Sequence, residues 1–195
     1  MTWTDIRRHH LEKLRTALER GEVDQGIIPV LKAINRRECL VSRSSCYGRL
    51  HITLERDIIR KGYGTTLLKA HGPLEWEAVR EAFNKVRKGV IWLNVEGTII
   101  HVAAKEVTEG MKLLDIAIRS GYRESSIYSI SDRGVTVEIL MGEKTSIPLY
   151  IDGKPLYTDE EYRELFQEVS KIFVLIERVK HRFLENMEEM ECDKS

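Results

Sequence analysis

The sequence carries no GxGxxG turn, no GxxxxGK[ST] phosphate loop, no HExxH and no GxSxG. Those absences set aside the Rossmann dinucleotide fold, the P-loop nucleotide hydrolases, the zinc proteases and the α/β-hydrolases. No apolar run approaches the roughly 20 residues that cross a bilayer. The opening MTWTDIRRHHLEK has no uninterrupted apolar segment after its charges, so a secretory leader is not expected. Cysteine is scarce and odd in number: Cys39, Cys46 and Cys192, with no CxxC pair. That usage fits a reducing cytosol, places the protein in the cytoplasm and argues against a cysteine zinc site, so no metal is expected. No Gly/Ser- or Pro-rich linker divides the chain, and residues 1–195 read as a single compact domain.

Net charge is also lacking, with 31 basic against 31 acidic residues. The balance is uneven along the chain. Residues 1–90 hold 18 Lys/Arg against 11 Asp/Glu, a balance of +7, and residues 91–195 hold 13 against 20, a balance of −7. A basic half attracts a polyanion within a screening length of about 8–10 Å even when the whole is neutral. The same split also suits two halves that complement each other across the fold. The apolar fraction of 42% and 32% charged residues are ordinary for a soluble globular protein with a highly charged surface.

What is there is a mixture of helical and extended periods. Trp3 to Arg20 reads as a helix capped at Thr4 or Asp5, with Ile6, Leu11, Leu14 and Leu18 inward. Its basic turn holds Arg7, Arg8, His9 and His10; adjacent histidines point about 100° apart on a helix, so they read as solvated. A second helix starts near Asp24 and buries Ile27, Val30, Leu31 and Ile34, with Pro29 in its first turn. Thr65 to Lys69 is a strand, Glu75 to Lys88 a helix stopped by Gly89, and Val107 to Ser120 a helix stopped by Gly121. That last helix presents the stripe Val107, Met111, Leu114 and Ile118 for burial. Val90–Val95 and Thr98–Ala103 read as a hairpin about Glu96-Gly97, and Ile127–Ile130 and Val135–Leu140 as a pair joined through Asp132-Arg133-Gly134. Ile147 to Ile151 is extended. From Asp159 to Met190 runs a long helix with Tyr162, Val169, Ile176 and Phe183 at heptad spacing. The class is α+β: an antiparallel or mixed sheet, intervening helices and a long C-terminal helix, not Rossmann.

The stretch VSRSSCYGRL, Val41 to Leu50, sets three serine hydroxyls, a thiol, a glycine and two arginines between apolar runs. It reads as a turn between two strands, either a Ser/Gly-rich hairpin loop or a place where donors converge on a ligand.

Five ordered segments resemble the tRNA wybutosine-synthesizing protein 3 family, including its archaeal members. Arg20-Gly21-Glu22-Val23-Asp24 leading to Ile34-Asn35 is similar to its KGxxD…IN segment, and Ser44-Ser45-Cys46-Tyr47-Gly48-Arg49 to its SSCSGR signature. His71-Gly72-Pro73 matches a histidine after a short strand. Trp92-Leu93 through Ile100-His101-Val102 is similar to WL…ILHV, and Gly121-Tyr122-Arg123-Glu124-Ser125-Ser126-Ile127 to GFRxSGI. The terminal PLYIDGKPLYTDEEYRELF also looks like the family's end, so the resemblance covers roughly residues 18–185. Tyr47 departs from a serine of the signature, and Ser126 from a glycine.

The resemblance implies S-adenosyl-L-methionine-dependent methylation of the N4 ring nitrogen of a tricyclic wybutosine precursor, of the 7-aminocarboxypropyl-demethylwyosine type, beside the anticodon of phenylalanine tRNA. It implies a non-Rossmann methyltransferase and leaves the oligomeric state open. His71, His101 and Asp24 are then the candidate proton acceptors, with a backbone-bonded histidine and a helix cap as their structural alternatives. Ser44, Ser45, Gly48, Arg49 and Ser125 are the cofactor-binding candidates; Gly48 admits a ligand to the backbone and Arg49 suits a carboxylate or phosphate. Arg20, Asn35, Tyr47, Trp92 and Arg123 are the substrate candidates, Tyr47 and Trp92 by stacking on a base. Cys46 reads as a packing thiol, because methyl transfer needs no covalent enzyme intermediate. A non-catalytic RNA-binding module is the alternative from another class, and a protein-interaction module built on the terminal helix a third.

Overall fold

The computed structural model describes residues 2–59, 64–83, 86–132 and 134–193. The chain forms α1 (Trp3–Glu19), a 3-10 turn (Gln25–Ile27), α2 (Ile28–Asn35), β1 (Leu40–Cys46), β2 (Arg49–Glu55), β3 (Thr65–Ala70) and α3 (Trp76–Phe83). There follow β4 (Val90–Glu96), β5 (Ile99–Ala104), α4 (Val107–Ser120), β6 (Ser126–Ser131), β7 (Gly134–Leu140), β8 (Lys144–Ile151), β9 (Lys154–Pro155), α5 (Asp159–Ser170) and α6 (Ile172–Asn186). One sheet has four strands in the order β1-β5-β7-β6, the other five in the order β3-β2-β4-β8-β9, and the pairings are antiparallel. This is the α+β class with antiparallel sheets that the sequence leads one to expect.

Two compact units result: Met1–Tyr47 with Thr98–Gly142 and Ile176–Ser195, and Gly48–Gly97 with Glu143–Leu175. Two connections expected as hairpins are therefore not hairpins. β1 and β2 are separated only by Tyr47-Gly48, yet β1 pairs with β5 and β2 with β3 and β4. β4 and β5 flank Gly97-Thr98, yet β4 pairs with β2 and β8, and β5 with β1 and β7. Alternation reports a strand's local period, while the choice of pairing partner is tertiary. The β6–β7 pair is a true hairpin; its connecting Arg133 lies outside the described residues, as do Asn84 and Lys85 of the expected helix to Lys88.

In the first unit α1 is capped by Thr2, not by Thr4 or Asp5: the Thr2 hydroxyl accepts from Asp5 N–H, and the Asp5 carboxylate accepts from Thr2 N–H at 3.1 Å. Of its expected apolar face only Ile6 is buried. In α2, Val30, Leu31 and Ile34 are buried, and Ile27 beside them, as the spacing predicts. Helix α4 keeps its predicted bounds and ends on Gly121 with φ 117°, a left-handed cap. Its buried side differs from the expected stripe. Val107, Met111 and Ile118 are exposed, and Gly110, Leu113, Ile116, Ala117 and Ser120 face inward. A Cβ on Gly110 would meet Val135 Cγ1 at 3.1 Å, so small residues on α4 let it lie close on β7. Along β7 that side takes Val135, Val137 and Ile139, all nearly fully buried, which turns Thr136 and Glu138 to the opposite face.

Cys39 and Cys192 form a disulfide, whereas Cys46 is free and half-buried. The free, reduced cysteines expected from their odd number are corrected here: residues 153 apart in sequence meet because the segment after α6 returns to the start of β1. Arg37 assists by donating to the carbonyls of Met187 and Met190.

The second unit packs α3 and α5 through an aromatic cluster: Trp76 stacks on Tyr162 with centroids 4.0 Å apart and meets Phe83 edge-on at 5.2 Å. The predicted terminal helix divides at Lys171 into α5 and α6. Of its heptad positions, Tyr162, Ile176 and Phe183 are buried and Val169 is half-buried, while Phe166 and Phe173 are buried instead.

Candidate functional site

A bulge in β1 builds the most suggestive site of the first unit. Ser42 pairs with Val102 and Ser44 with His101, so Arg43 is the extra residue between them. Strict alternation would set Arg43 and Ser44 on opposite faces. The bulge instead lets both stand on the face turned away from α4, because an inserted residue re-aims the side chains beside it. Arg43 reaches across to β7, donating to Thr136 Oγ1 at 2.9 Å.

On the same face three side chains form a line. Ser44 Oγ lies 3.0 Å from His101 Nδ1, and His101 Nε2 lies 3.1 Å from Glu138 Oε1. The strands β1, β5 and β7 hold them in adjacent register, Ser44 opposite His101 and His101 opposite Glu138. An ionised carboxylate only accepts, so Nε2 carries the proton and Nδ1 of the neutral ring accepts from the Ser44 hydroxyl. Glu138 thus fixes both the ring's orientation and its tautomer. Tyr128 meets the imidazole edge-on at 5.5 Å. The His101 side chain is 28% exposed, so a ligand reaches it.

Two clefts adjoin this line where α1 lies beside the sheet. One, of about 290 Å³, is lined by Leu14, Ala17, Val23 and Leu31 as an apolar wall and by Lys13, Glu22, Ser44 and Ser45 as polar groups. The other, of about 250 Å³, runs over β6 and β7 and includes His9, Ser129, Ser131 and Thr136. His10 and Arg43 line both. Burial of His10, together with the positive charges of Arg43, His9 and Lys13, holds its imidazole below the usual histidine range.

Other residues singled out in the sequence hold the first unit together. Asp24 accepts from Tyr47 N–H at 3.1 Å and makes no side-chain cap to the turn that follows it. Tyr47 is buried: its ring lies where a Gly26 Cβ would sit, 2.6 Å from that position at Cζ, and its hydroxyl donates to Glu177. Lys180 stands 5.4 Å from the ring centroid, and Thr98 donates to the Tyr47 carbonyl at 2.6 Å. That surround corrects the expectation of an exposed tyrosine face for stacking on a base. Asn35 is spent on Ser42, donating to its hydroxyl and accepting from its N–H, both at 2.9 Å. Ser125 donates to the Tyr122 carbonyl and accepts from Leu140 N–H. Arg20 and Arg123 are exposed, and Cys46 is half-buried.

In the second unit Gly48, with φ 117°, offers its carbonyl to His71 Nδ1 at 3.0 Å. Nδ1 therefore donates, which makes Nε2 the accepting nitrogen of the neutral ring. One face of the five-stranded sheet carries a polar ladder. Arg49 Nε donates to Glu96 at 2.6 Å, and His51 Nε2 stands 3.4 Å from the other Glu96 oxygen. Asn94 donates to Thr53 at 3.0 Å and accepts from Ser146 at 2.7 Å. His51 and Arg49 hold the Glu96 carboxyl down to about 2 against its partial burial. Trp92 belongs to the same face and is 5% exposed, so its indole forms floor rather than an open stacking plane.

Sequence reasoning found Ser44 and His101 but not Glu138, Arg43 or His10. The alternation of β7 does turn Glu138 outward; nothing local names its partner. Arg43 sits inside the quoted cluster, yet its facing depends on the bulge.

The family profile described as Methyltransferase TYW3 matches residues 5–192. A tRNA(Phe) 7-((3-amino-3-carboxypropyl)-4-demethylwyosine(37)-N(4))-methyltransferase 1 of Pyrococcus abyssi is 37% identical over 184 residues, covering 94% of this chain and 95% of the relative. An enzyme of the same name, without the numeral, from Methanocaldococcus jannaschii is 33% identical over 171 residues, 87% of this chain and 88% of its own. The PH1069 protein from Pyrococcus horikoshii superposes with a TM-score of 0.87 at 30% identity, covering 95% of this chain and 96% of that one. A hypothetical protein from Aeropyrum pernix gives 0.75 at 27% identity, over 87% of this chain and all of its own. These relatives lend support to the enzyme reading and none to the non-catalytic RNA-binding module.

Proposed function

The chain belongs to the Methyltransferase TYW3 family, and we propose that it methylates N4 of 7-(3-amino-3-carboxypropyl)-4-demethylwyosine at position 37 of tRNA(Phe), with S-adenosyl-L-methionine as donor. The observation that carries the reading is the line Ser44–His101–Glu138 on an accessible sheet face. A ring N–H must lose its proton as the nitrogen takes a methyl group. His101, its Nε2–H held by Glu138, offers Nδ1 as the acceptor, either directly or through the Ser44 hydroxyl. Glu138 stabilises the imidazolium that results.

The smaller of the described chemistries, the donor's, fits the cleft beside Ser44. Its apolar wall of Leu14, Ala17, Val23 and Leu31 suits an adenine face, Glu22 accepts from hydroxyl or ammonium groups, and Lys13 pairs with a carboxylate. A bound donor supplies an electrophilic methyl on a sulfonium. The chain's own part is to orient that methyl towards the acceptor nitrogen and to take the proton away. Ser45 belongs to this cleft as a hydrogen-bonding group. His71, with Nδ1 fixed by a carbonyl, is kept as a second candidate acceptor, and Asp24 as an anchor of the Tyr47 backbone. With tRNA as substrate and, among the described residues, no helix long and apolar enough to cross a membrane, the site of action is the cytoplasm. The disulfide is compatible with that compartment in hyperthermophilic archaea, whose intracellular proteins are rich in them.

Incubating the purified protein with S-adenosyl-L-methionine and tRNA(Phe) bearing the N4-unmethylated base should add one methyl group, read by nucleoside mass spectrometry. Donor binding without any transfer would remove this substrate from the reading.

A further inference from the structure

The cleft that runs from α1 over β6 and β7 has no role in the chemistry above. It is walled by His9 and His10 of α1 and by Arg43 from the bulge, and floored by the hydroxyls of Ser129 and Thr136, while Ser131 at its edge donates its own hydroxyl to the Gly134 carbonyl. Among the described residues no carboxylate lines it. Among the described residues Arg43 pairs with no acid; its hydrogen-bonded partner is the neutral Thr136 hydroxyl. A guanidinium ordinarily finds a carboxylate or a phosphate, and here the protein supplies neither.

We propose that this cleft binds a backbone phosphate of the substrate RNA, gripped by Arg43 and His10 and hydrogen-bonded by the hydroxyl floor. Cationic groups together with Ser and Thr hydroxyls are the usual donors to phosphodiester oxygens. The set is donor-rich, matching a tetrahedral anion that only accepts. Burial first, and then the positive charges of Arg43, His9 and Lys13, hold the His10 imidazole below the usual histidine range, so it meets the phosphate as a neutral N–H donor beside the Arg43 cation. Location gives the site its use. Arg43 is adjacent in the bulge to Ser44, whose hydroxyl bonds His101, so a phosphate held there fixes the RNA within a nucleotide or so of the reacting base. Phosphate contacts set register in this way without reading sequence.

The proposal rests on the RNA-substrate reading, and its test separates the two. Fluorescence anisotropy is recorded with an unmodified anticodon stem-loop of tRNA(Phe) across a salt series, where each phosphate contact contributes about 0.7–0.9 to the log–log slope. Arg43→Gln should weaken binding and lower the slope by about one contact, while Arg43→Lys keeps the slope. Arg43 is an exposed side chain, and both variants are checked for wild-type circular dichroism. Unchanged affinity and slope in Arg43→Gln overturn the phosphate site while leaving the RNA reading intact. Loss of S-adenosylhomocysteine binding by calorimetry, with the RNA slope preserved, overturns it by assigning the anion to a carboxylate. Absence of RNA binding by the wild type sinks the substrate reading itself, and the phosphate site with it.

Discussion

Each unit sets a histidine beside a glutamate on an exposed sheet face, and the two pairs are differently surrounded. In the second unit Glu96 lies between His51 and Arg49, and Asn94 lies between Thr53 and Ser146, so each of these two acceptors is flanked by donors or polar partners from neighbouring strands. In the first unit Glu138 faces His101, Ser44 completes the line, and among the described residues no acid lines the neighbouring cleft of Arg43, His9 and His10 over β6 and β7. A network closed on itself stabilises and rigidifies a sheet. An imidazole with one nitrogen fixed and the other against a hydroxyl, next to a cleft lined by an arginine and two histidines, is arranged for a ligand. On the proposed reading, neighbour identity, not the presence of a His–Glu pair, separates structure from function.

That contrast extends to how each unit is tied. The first has a disulfide closing a separation of 153 residues; among the described residues the second has none. In the chain-entropy model such a link contributes about 5 kcal/mol. Reduction, or Cys39→Ala with Cys192→Ala, should therefore cost the first unit most of its protection in hydrogen exchange, at β1 and β5, while β2 and β4 change little. Equal loss in both units would erase this side of the contrast.

A smaller effect is expected from Glu96→Gln. The folded carboxyl is held at about 2 against an ordinary 4.5, so its ionised form is favoured by folding. A depressed folded value contributes stability that is full above the unfolded value and is lost as pH falls through the folded one. The wild type should thus melt higher than Glu96→Gln at neutral pH, with the gap closing between about 4.5 and about 2. A gap that persists at pH 2 would show that the charge pairing is not its source.

Much of this was legible locally and some was not. The bounds of α4 with its stop at Gly121, the buried face of α2 and the strand periods all follow from neighbours within a few residues. His101 was visible as a chemistry-bearing type in an extended segment, and Ser44 in a stretch read as a turn that proves to be the strand β1. Glu138 was not, because its meaning depends on β5 pairing with β7, and Arg43 was not, because a one-residue bulge decides its face. The stripe expected on α4 failed for a related reason: periodicity weights large side chains, whereas close packing on β7 selected Gly110 and Ala117. The tyrosine at position 47 looked like a stacking surface until its packing over Gly26 was visible.

The central claim is that chemistry belongs to the sheet face of the first unit. The direct measurement is single-turnover methyl transfer to precursor tRNA by His101→Asn and His51→Asn, at matched donor and tRNA saturation. His101→Asn should lose on the order of a hundredfold or more in rate, the range for a removed general base, while His51→Asn stays close to wild type. Full activity in His101→Asn, or a larger loss in His51→Asn, would contradict the claim.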